Sequence, residues 1–397
     1  MKYLVCNAGS TSLKFKLFEM PEQTVLSTGK VERVRSRDNA IFHFGNTMTG
    51  FSVKLEGQDI PDYTAGVQKY FSYLLDPTNG VIKNLEEIEC VSFKTVLAKD
   101  FYGVHEITPE VIRGMETMLP VAPAHNIPYL EVIRVMQKEA PKAKLVGAFE
   151  TAFHRDIPLA RRLYAAPYEW YEKYGLMRNG AHGASHRYVS ETVAQLRGGN
   201  TGKLISCHLG GSCSLCAVDD GKSVDTSFGF SLQTGGVFHA ERVGDFDAFA
   251  IPYLMQQGLE LNEILDTLCK NGGLKGISGV SGDLRFVEEA AEAGNERAQL
   301  AVDMFVENMV RTMGAFYAEL GGLDAIAFAG GIGENSVTVR ERVCKAIKHF
   351  GVKLDEDANK VNAQIITKNG SPVTVFIIPT DEESIVSKQA YECLNGK

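Results

Sequence analysis

Four short stretches of glycine, serine and small polar residues are the first candidates for chemistry. They are Asn7-Ala8-Gly9-Ser10-Thr11-Ser12, the HLGGSCS segment at 208–214, Ser278-Gly279-Val280-Ser281-Gly282-Asp283, and Ala329-Gly330-Gly331-Ile332-Gly333-Glu334-Asn335. Glycine has no Cβ to keep an approaching oxygen away from the backbone. A turn of this composition therefore presents N–H groups and hydroxyls at close range, and such concave donor arrays bind anions, phosphates above all. One turn alone reads as the polar tip of a hairpin. Four of them, each expected after an apolar strand, point to a phosphate-binding cleft between two domains. The fourth also opens a helix, where phosphate or ribose could meet the helix N-terminus. It matches neither the Walker pattern nor GxGxxG.

Other reactive side chains are less specific when taken singly. His182 and His186 are four apart, but Gly180 and Gly183 make the segment a turn into a helix, so a capping or structural role outweighs a metal pair. Glu150 ends an apolar strand, and a buried acid usually has a reason. Arg242 alone reads as a surface or salt-bridged arginine. Cys213 and Cys216 form a CxxC without a second pair. They lie in a strand-like run, where residues three apart face opposite ways, which argues against a metal or redox role.

These residues need strands and helices to hold them. Tyr3–Cys6 is a short apolar run, and Leu13, Phe15 and Leu17 alternate with other residues at the strand period. The plan recurs: LVCNAGSTSLKFKLF at 4–18 is echoed by LISCHLGGSCSLCAV at 204–218, with Gly9 corresponding to Gly210. Two such units in 397 residues suggest two related domains. Lys144–Phe149 and Ala325–Ala329 read as buried strands, and Val373–Ile378 as a late strand ended by Pro379. Arg297–Leu320 reads as a long helix with one apolar face. Val337–Phe350 reads as another, with Ser336 as its N-cap. The mixture predicts an α/β protein with hairpins leading each half, divided somewhere in 145–185.

Bulk properties exclude some functions. Hydrophobic content of 44% and charged content of 23% are ordinary for a globular protein. A net charge of −8 argues against nucleic-acid or membrane-surface binding through charge, though not against a small anion held by a few local cations. The eight cysteines follow no framework spacing, no signal peptide is evident, and no apolar run approaches a membrane span. A reducing, cytoplasmic setting is expected.

Taken together, the motifs are specific. NAGSTSLKFKLF at 7–18, FETAFH at 149–154, GAHGASH at 180–186, CHLGGS at 207–212, SGDLR at 281–285, AGGIGENS at 329–336 and IPTDEE at 378–383 resemble the acetate kinase family, in the family's order and across essentially the whole chain. The resemblance implies the duplicated two-domain actin, sugar-kinase and heat-shock-chaperone superfold, with a central ATP cleft. It implies an acceptor-side domain over 1–148, completed by a C-terminal helix at about 384–397, and a nucleotide-binding domain over 149–383. It implies ATP/ADP as co-substrate, Mg²⁺ or Mn²⁺ placed by Asn7 and Glu382, a small carboxylic acid as acceptor, and a homodimer. Around the nucleotide it would put Lys14, His208, Leu209, Gly210, Gly211 and Ser212. Asp283, Leu284 and Arg285 would join them, with Gly331, Ile332, Gly333, Glu334 and Asn335. His182 and Arg242 match the family's transition-state clamp. Lys94 stands where the family has an arginine that grips the substrate carboxylate, and Glu150 where it has an aspartate near metal and acceptor.

Departures from the family cluster on the acceptor side. Lys94 keeps a charge but loses the bidentate fork that fits a carboxylate, and Glu150 is one methylene longer than aspartate. HLGNG becomes His208–Ser212, and the segment around Arg242 reads AERVGDFDA; both also resemble butyrate kinases. In the acyl pocket a Phe becomes Ala181, a Leu becomes Ala124 and a Pro becomes Leu232, while Val96 is kept. This enlarges the space and favours an acid larger than acetate. A carboxylate acceptor is already ionised at pH 7 and needs no general base. The task is electrostatic, to bring an anion in line with a triphosphate and to stabilise the charge that spreads over the transferred group. The expected activity is reversible, ATP-dependent phosphorylation of a short-chain acid to an acyl phosphate by direct transfer. Two alternatives are a kinase of the same superfold with a hydroxyl acceptor, for which Glu150 would serve as base, and a non-catalytic nucleotide-binding regulator.

Overall fold

A computed structural model describes residues 1–396 other than Ser10; the side chain of Ala124 also lies outside the described residues. The chain forms two compact units, one of residues 1–152 with 381–397, the other of 153–380.

The first unit is built on β1 (Lys2–Ala8), β2 (Ser12–Glu19), β3 (Thr24–Glu32), β4 (Ser36–Asn46), β5 (Ser52–Ile60), β6 (Ile88–Thr95), β7 (Val104–Glu106) and β8 (Lys144–Phe149). They form one sheet in the order β5-β4-β3-β2-β1-β6-β8-β7. Strand β1 runs antiparallel to β2, with Asn7 opposite Lys14, and parallel to β6. Leu4, Val5 and Cys6 are fully buried, as expected of a central strand covered on both faces. Helices α1 (Tyr63–Leu74) and α2 (Pro123–Glu139) belong to this unit, as does the C-terminal helix Glu382–Leu394. Tyr70 of α1 stacks on Phe15 of β2 at 4.2 Å. The C-terminal helix starts at Asp381, whose carboxylate accepts from the Ser384 N–H at 3.2 Å. Glu382 and Glu383 fill its first turn, where the helix dipole favours negative charge.

The second unit carries β9 (Lys203–Leu209), β10 (Cys213–Asp219), β11 (Lys222–Thr226), β12 (Ala325–Ala329) and β13 (Thr374–Ile377), ordered β11-β10-β9-β12-β13. Its helices include α3 (Gly183–Leu196), α4 (Gly273–Ser278), α5 (Leu284–Glu292), α6 (Glu296–Leu320), α7 (Gly330–Asn335) and α8 (Val337–Ala346). Helix α6 buries Val302, Phe305, Met309, Met313, Phe316 and Leu320, the face its periodicity marks. It runs from an Asn295 cap to Gly321, whose φ of 64° ends it in the left-handed conformation.

The sequence echo is a structural repeat. The run β3-β2-β1-β6-β8 has the order and strand directions of β11-β10-β9-β12-β13: two antiparallel pairings, then two parallel ones. Each leading hairpin opens its turn on a glycine, the first enclosing one residue more than the second. Gly9 N–H donates to Ser12 O at 2.9 Å, and Gly210 N–H donates to Ser212 O at 3.1 Å. Cys213 and Cys216 sit on opposite faces of β10, in separate hydrophobic clusters, which leaves no metal or redox pair.

Two expectations are corrected. The glycine-rich stretch 278–283 follows helix α4, not a strand, and leads into α5 with Asp283 as N-cap. The helix expected over Val337–Phe350 ends at Ala346; Lys348–Phe350 is a separate single turn, closed by Gly351 at φ 104°. Ile347 N–H still donates to Val343 O at 3.0 Å, but beyond it the chain turns through Phe350 N–H to Ile347 O at 2.8 Å, a tighter spacing than the α-helix.

Candidate active site

Candidate residues gather in two groups, one within each unit. In the first unit, Lys94 near the end of β6 lies between two carboxylates. Its ammonium is 3.1 Å from Glu150 Oε1 and 2.8 Å from Glu382 Oε2. All three side chains are largely buried, with 17%, 7% and 16% exposed respectively. Burial alone would make Lys94 easier to deprotonate; the attraction of Glu150 and then Glu382 outweighs it, and the net shift is upward. Asn7, at the end of β1, donates from Nδ2 to Glu383 at 3.3 Å and accepts at Oδ1 from the Tyr129 hydroxyl at 3.0 Å. Lys16 holds Asp381 at 2.8 Å. The strand ends of β1, β6 and β8 thus meet the N-terminus of the C-terminal helix.

The expected metal pair is Asn7 with Glu382. The structure sets Asn7 against Glu383 and gives Glu382 to Lys94. Among the described residues no group of three or more His, Cys, Asp or Glu could hold a metal ion. Mg²⁺ does not need one, since it binds through one or two carboxylates with water and substrate phosphates. An amide oxygen with two neighbouring carboxylates is a hard, all-oxygen donor set, and it fits. Lys14 is exposed on β2, and Val96 is buried just beyond β6. Ala124 lies in α2, and its side chain is outside the described residues.

In the second unit the centre is His182. It is the N-cap of α3 and takes a left-handed backbone, φ 55°, uncommon for a residue with a side chain. Gly180 makes the turn possible. A Cβ there would lie 2.4 Å from the His154 ring. His154 is wholly buried and is bonded to Ala181 O and to Ser223 Oγ, each at 2.8 Å. Burial pushes its imidazole down to about 4, so it is neutral there. The His182 ring stacks on His208 at 4.1 Å and meets the edge of Phe228 at 5.6 Å.

His208 is the penultimate residue of β9 and is bonded through Nδ1 to Ser185 Oγ at 2.8 Å. A Cβ at Gly210 would lie 3.8 Å from Gly331 N and 4.0 Å from His208 Nε2, so these nitrogens converge on the hairpin turn. Gly211 and Gly331 open onto space where a Cβ would touch nothing. Leu209 is buried beneath the turn, and Ser212 is half-buried within it. In α7, Glu334 turns back to accept from Gly330 N–H at 3.0 Å, Asn335 donates to Gly331 O, and Ile332 packs on the core. Glu334 is thereby a support of the turn. Asp283 accepts from Arg285 N–H at 3.1 Å and from its guanidinium, and that arginine is otherwise exposed; Leu284 is buried.

Arg242 donates to the carbonyl of Leu232, and burial lowers the affinity of its guanidinium for its proton. Its own carbonyl accepts from His239 N–H at 2.9 Å, and His239 stacks on Phe228 at 5.3 Å. Ala181 and Leu232 are both buried. Glu383, Tyr129, Phe228, His239, Ser185, Ser206 and Ser214 were missed in the sequence. The only signal for Ser206 and Ser214 was a hydroxyl inside an otherwise apolar strand.

The repeated sheets, with glycine-rich turns at matching hairpins and a lysine held between two carboxylates, define a duplicated α/β protein. The chain belongs to the acetokinase family, whose model matches residues 2–388. It is 42% identical to the acetate kinase of Halothermothrix orenii and 41% to that of Bacillus subtilis, each over 98% of both chains. Among solved structures it is similar to Porphyromonas gingivalis acetate kinase, with TM-score 0.87 and 38% identity over 99% of both chains. It is also similar to a Francisella tularensis propionate kinase, with TM-score 0.88 and 29% identity over 98% of both. The duplicated α/β fold is the one these enzymes share. Family membership decides for a carboxylate acceptor over a hydroxyl and for turnover over regulation. No helix among the described residues is long and apolar enough to cross a membrane.

Proposed function

We propose that this kinase transfers the terminal phosphoryl group of ATP directly to a short-chain carboxylic acid, and that it favours acids longer than acetate. The observation that carries the proposal is the convergence of His208 Nε2 and Gly331 N on the turn at Gly210, beside the open Gly211, with His182 stacked alongside. The second unit's residues thereby suit polyphosphate binding and stabilisation of the transferred group by His182 and Arg242. The first unit's residues suit the acceptor and metal. Lys94 meets the acceptor carboxylate as a point charge, because an ammonium lacks the guanidinium fork. Asn7, with Glu382 and Glu383, would hold Mg²⁺, which when bound offsets phosphate charge. Glu150 faces an ammonium and is placed as a charge partner of Lys94; a carboxylate acceptor gives it no proton to remove. Buried Ala181, which stands where the family has a Phe, leaves room for a longer acyl chain. Each extra methylene buried there is worth up to ~0.8 kcal/mol, roughly fourfold in kcat/KM. A homodimer in the cytoplasm accompanies this proposal.

Hydroxylamine trapping tests it. Protein, Mg²⁺-ATP and one acid of two to six carbons are mixed, with His182→Ala as control. Hydroxamate that forms fastest with a three- or four-carbon acid, and is absent in the control, is expected. Absence of hydroxamate with every acid, in protein that still binds ATP, would overturn it.

A further inference from the structure

Behind His182 runs a continuous set of hydrogen bonds that no step above uses. His182 Nδ1 is 2.7 Å from Ser214 Oγ. The same hydroxyl is 2.8 Å from His186 Nε2, and His186 Nδ1 is 2.8 Å from Ser206 Oγ. Ser206, Ser214 and His186 are all wholly buried. The register explains the meeting: β9 and β10 pair His208 with Ser214 and Ser206 with Cys216, and His186 lies one helical turn beyond His182 in α3.

Each hydroxyl has one proton, and a neutral imidazole has one N–H. The chain can therefore run in only two directions. In the first, Ser206 donates to His186 Nδ1, His186 Nε2–H donates to Ser214, and Ser214 donates to His182 Nδ1. The protons of buried Ser206, His186 and Ser214 then all have acceptors, and the proton of neutral His182 sits on Nε2. In the second, His182 Nδ1–H donates to Ser214, Ser214 to His186 Nε2, and His186 Nδ1–H to Ser206. The Ser206 proton then has no acceptor among the described residues. A buried donor without a partner is disfavoured, so the first direction prevails.

We propose that Ser206, His186 and Ser214 are positioning residues that fix His182 as its Nε2–H tautomer, so that a donor rather than a lone pair faces the transferred phosphoryl group. The proposal rests on the role given to His182 above. Burial, with His154 and His208 nearby, pushes His186 well below the usual imidazole range, in keeping with one proton on that ring. His208 also stacks against His182; its Nδ1 is engaged by Ser185, outside this set of hydrogen bonds.

The test is long-range ¹H–¹⁵N NMR on the full chain with ¹⁵N-labelled histidine, the His182 signals being assigned by their loss in His182→Ala. A pyridine-type Nδ1 and pyrrole-type Nε2 are expected. Ser214→Ala cuts the chain at His182, and Ser206→Ala removes the proton that sets its direction. In both, the second tautomer should appear. In Ser214→Ala, kcat should fall roughly 10- to 100-fold, as when an outer-shell partner is lost, while KM for ATP stays within about twofold. A purely structural role would move neither the tautomer nor kcat apart from KM. A pyrrole-type Nδ1 in the unaltered protein, or an unchanged tautomer and kcat in Ser214→Ala, would overturn the relay. Full activity in His182→Ala would instead overturn the role of His182 itself, whatever the tautomer.

Discussion

Removing one ammonium from the first unit should have a large and localised effect. Lys94→Met keeps an unbranched side chain one atom shorter and deletes the charge that separates Glu150 from Glu382. The two carboxylate oxygens are both within about 3 Å of Nζ, hence no more than about 6 Å apart, where two like charges repel by roughly 3 kcal/mol at an effective dielectric of 20. Breaking a buried ion pair from one side typically costs about 3–5 kcal/mol. The sign with pH follows. In the variant, one carboxyl keeps its proton to higher pH when folded than when unfolded, so the folded state binds more protons and stability falls as pH rises above the ordinary carboxyl range near 4. The variant should therefore be worst at pH 8 and recover towards pH 5. A two-unit chain need not unfold in one step, so native-state hydrogen exchange with EDTA present is the better assay. It is read on peptides from β6, β8 and the C-terminal helix. Exchange there should accelerate on the order of 10²–10³-fold at pH 8, with β9 and β12 little changed. Lys94→Met with Glu150→Gln should restore most of the protection. Exchange in Lys94→Met within threefold of the parent at pH 8 would refute the clamp.

Two other consequences concern the second unit. Gly180→Ala places a methyl group against the His154 ring at φ 75°; it should cost about 2–4 kcal/mol, seen as a lower Tm. Glu319 on α6 is pushed up to about 7 by burial and then by Asp225, so the folded state binds the extra proton and its contribution to stability declines as pH rises from about 4 to 7. Glu319→Gln should raise Tm at pH 8 relative to the parent and have little effect at pH 4; a Tm that falls equally at both would count against the raised Glu319 carboxyl.

The sequence by itself determined the local elements and the kinds of group on offer. Alternation at Leu13, Phe15 and Leu17 gave β2, and the period of Val302 to Leu320 gave α6. The echo at 4–18 and 204–218 foretold two hairpins that turn at Gly9 and Gly210, because strand alternation and glycine's freedom are properties of neighbouring residues. The ordered motifs were enough to bring His182, Arg242, Lys94 and Glu150 forward. Tertiary structure decided who meets whom. Whether Asn7 met Glu382 or Glu383 depended on how the first turn of the C-terminal helix approaches the end of β1, and adjacent glutamates on a helix point about 100° apart. The stretch 278–283 looked like a strand-end turn, because a glycine-rich segment does not record what precedes it. Ser206 and Ser214 stood unnoticed in apolar strands. Only the pairing of β9 with β10, and the docking of α3 on them, makes two ordinary serines the partners of His186 and His182. Hydrogen bonds between residues tens of positions apart are set by register, which depends on the whole sheet.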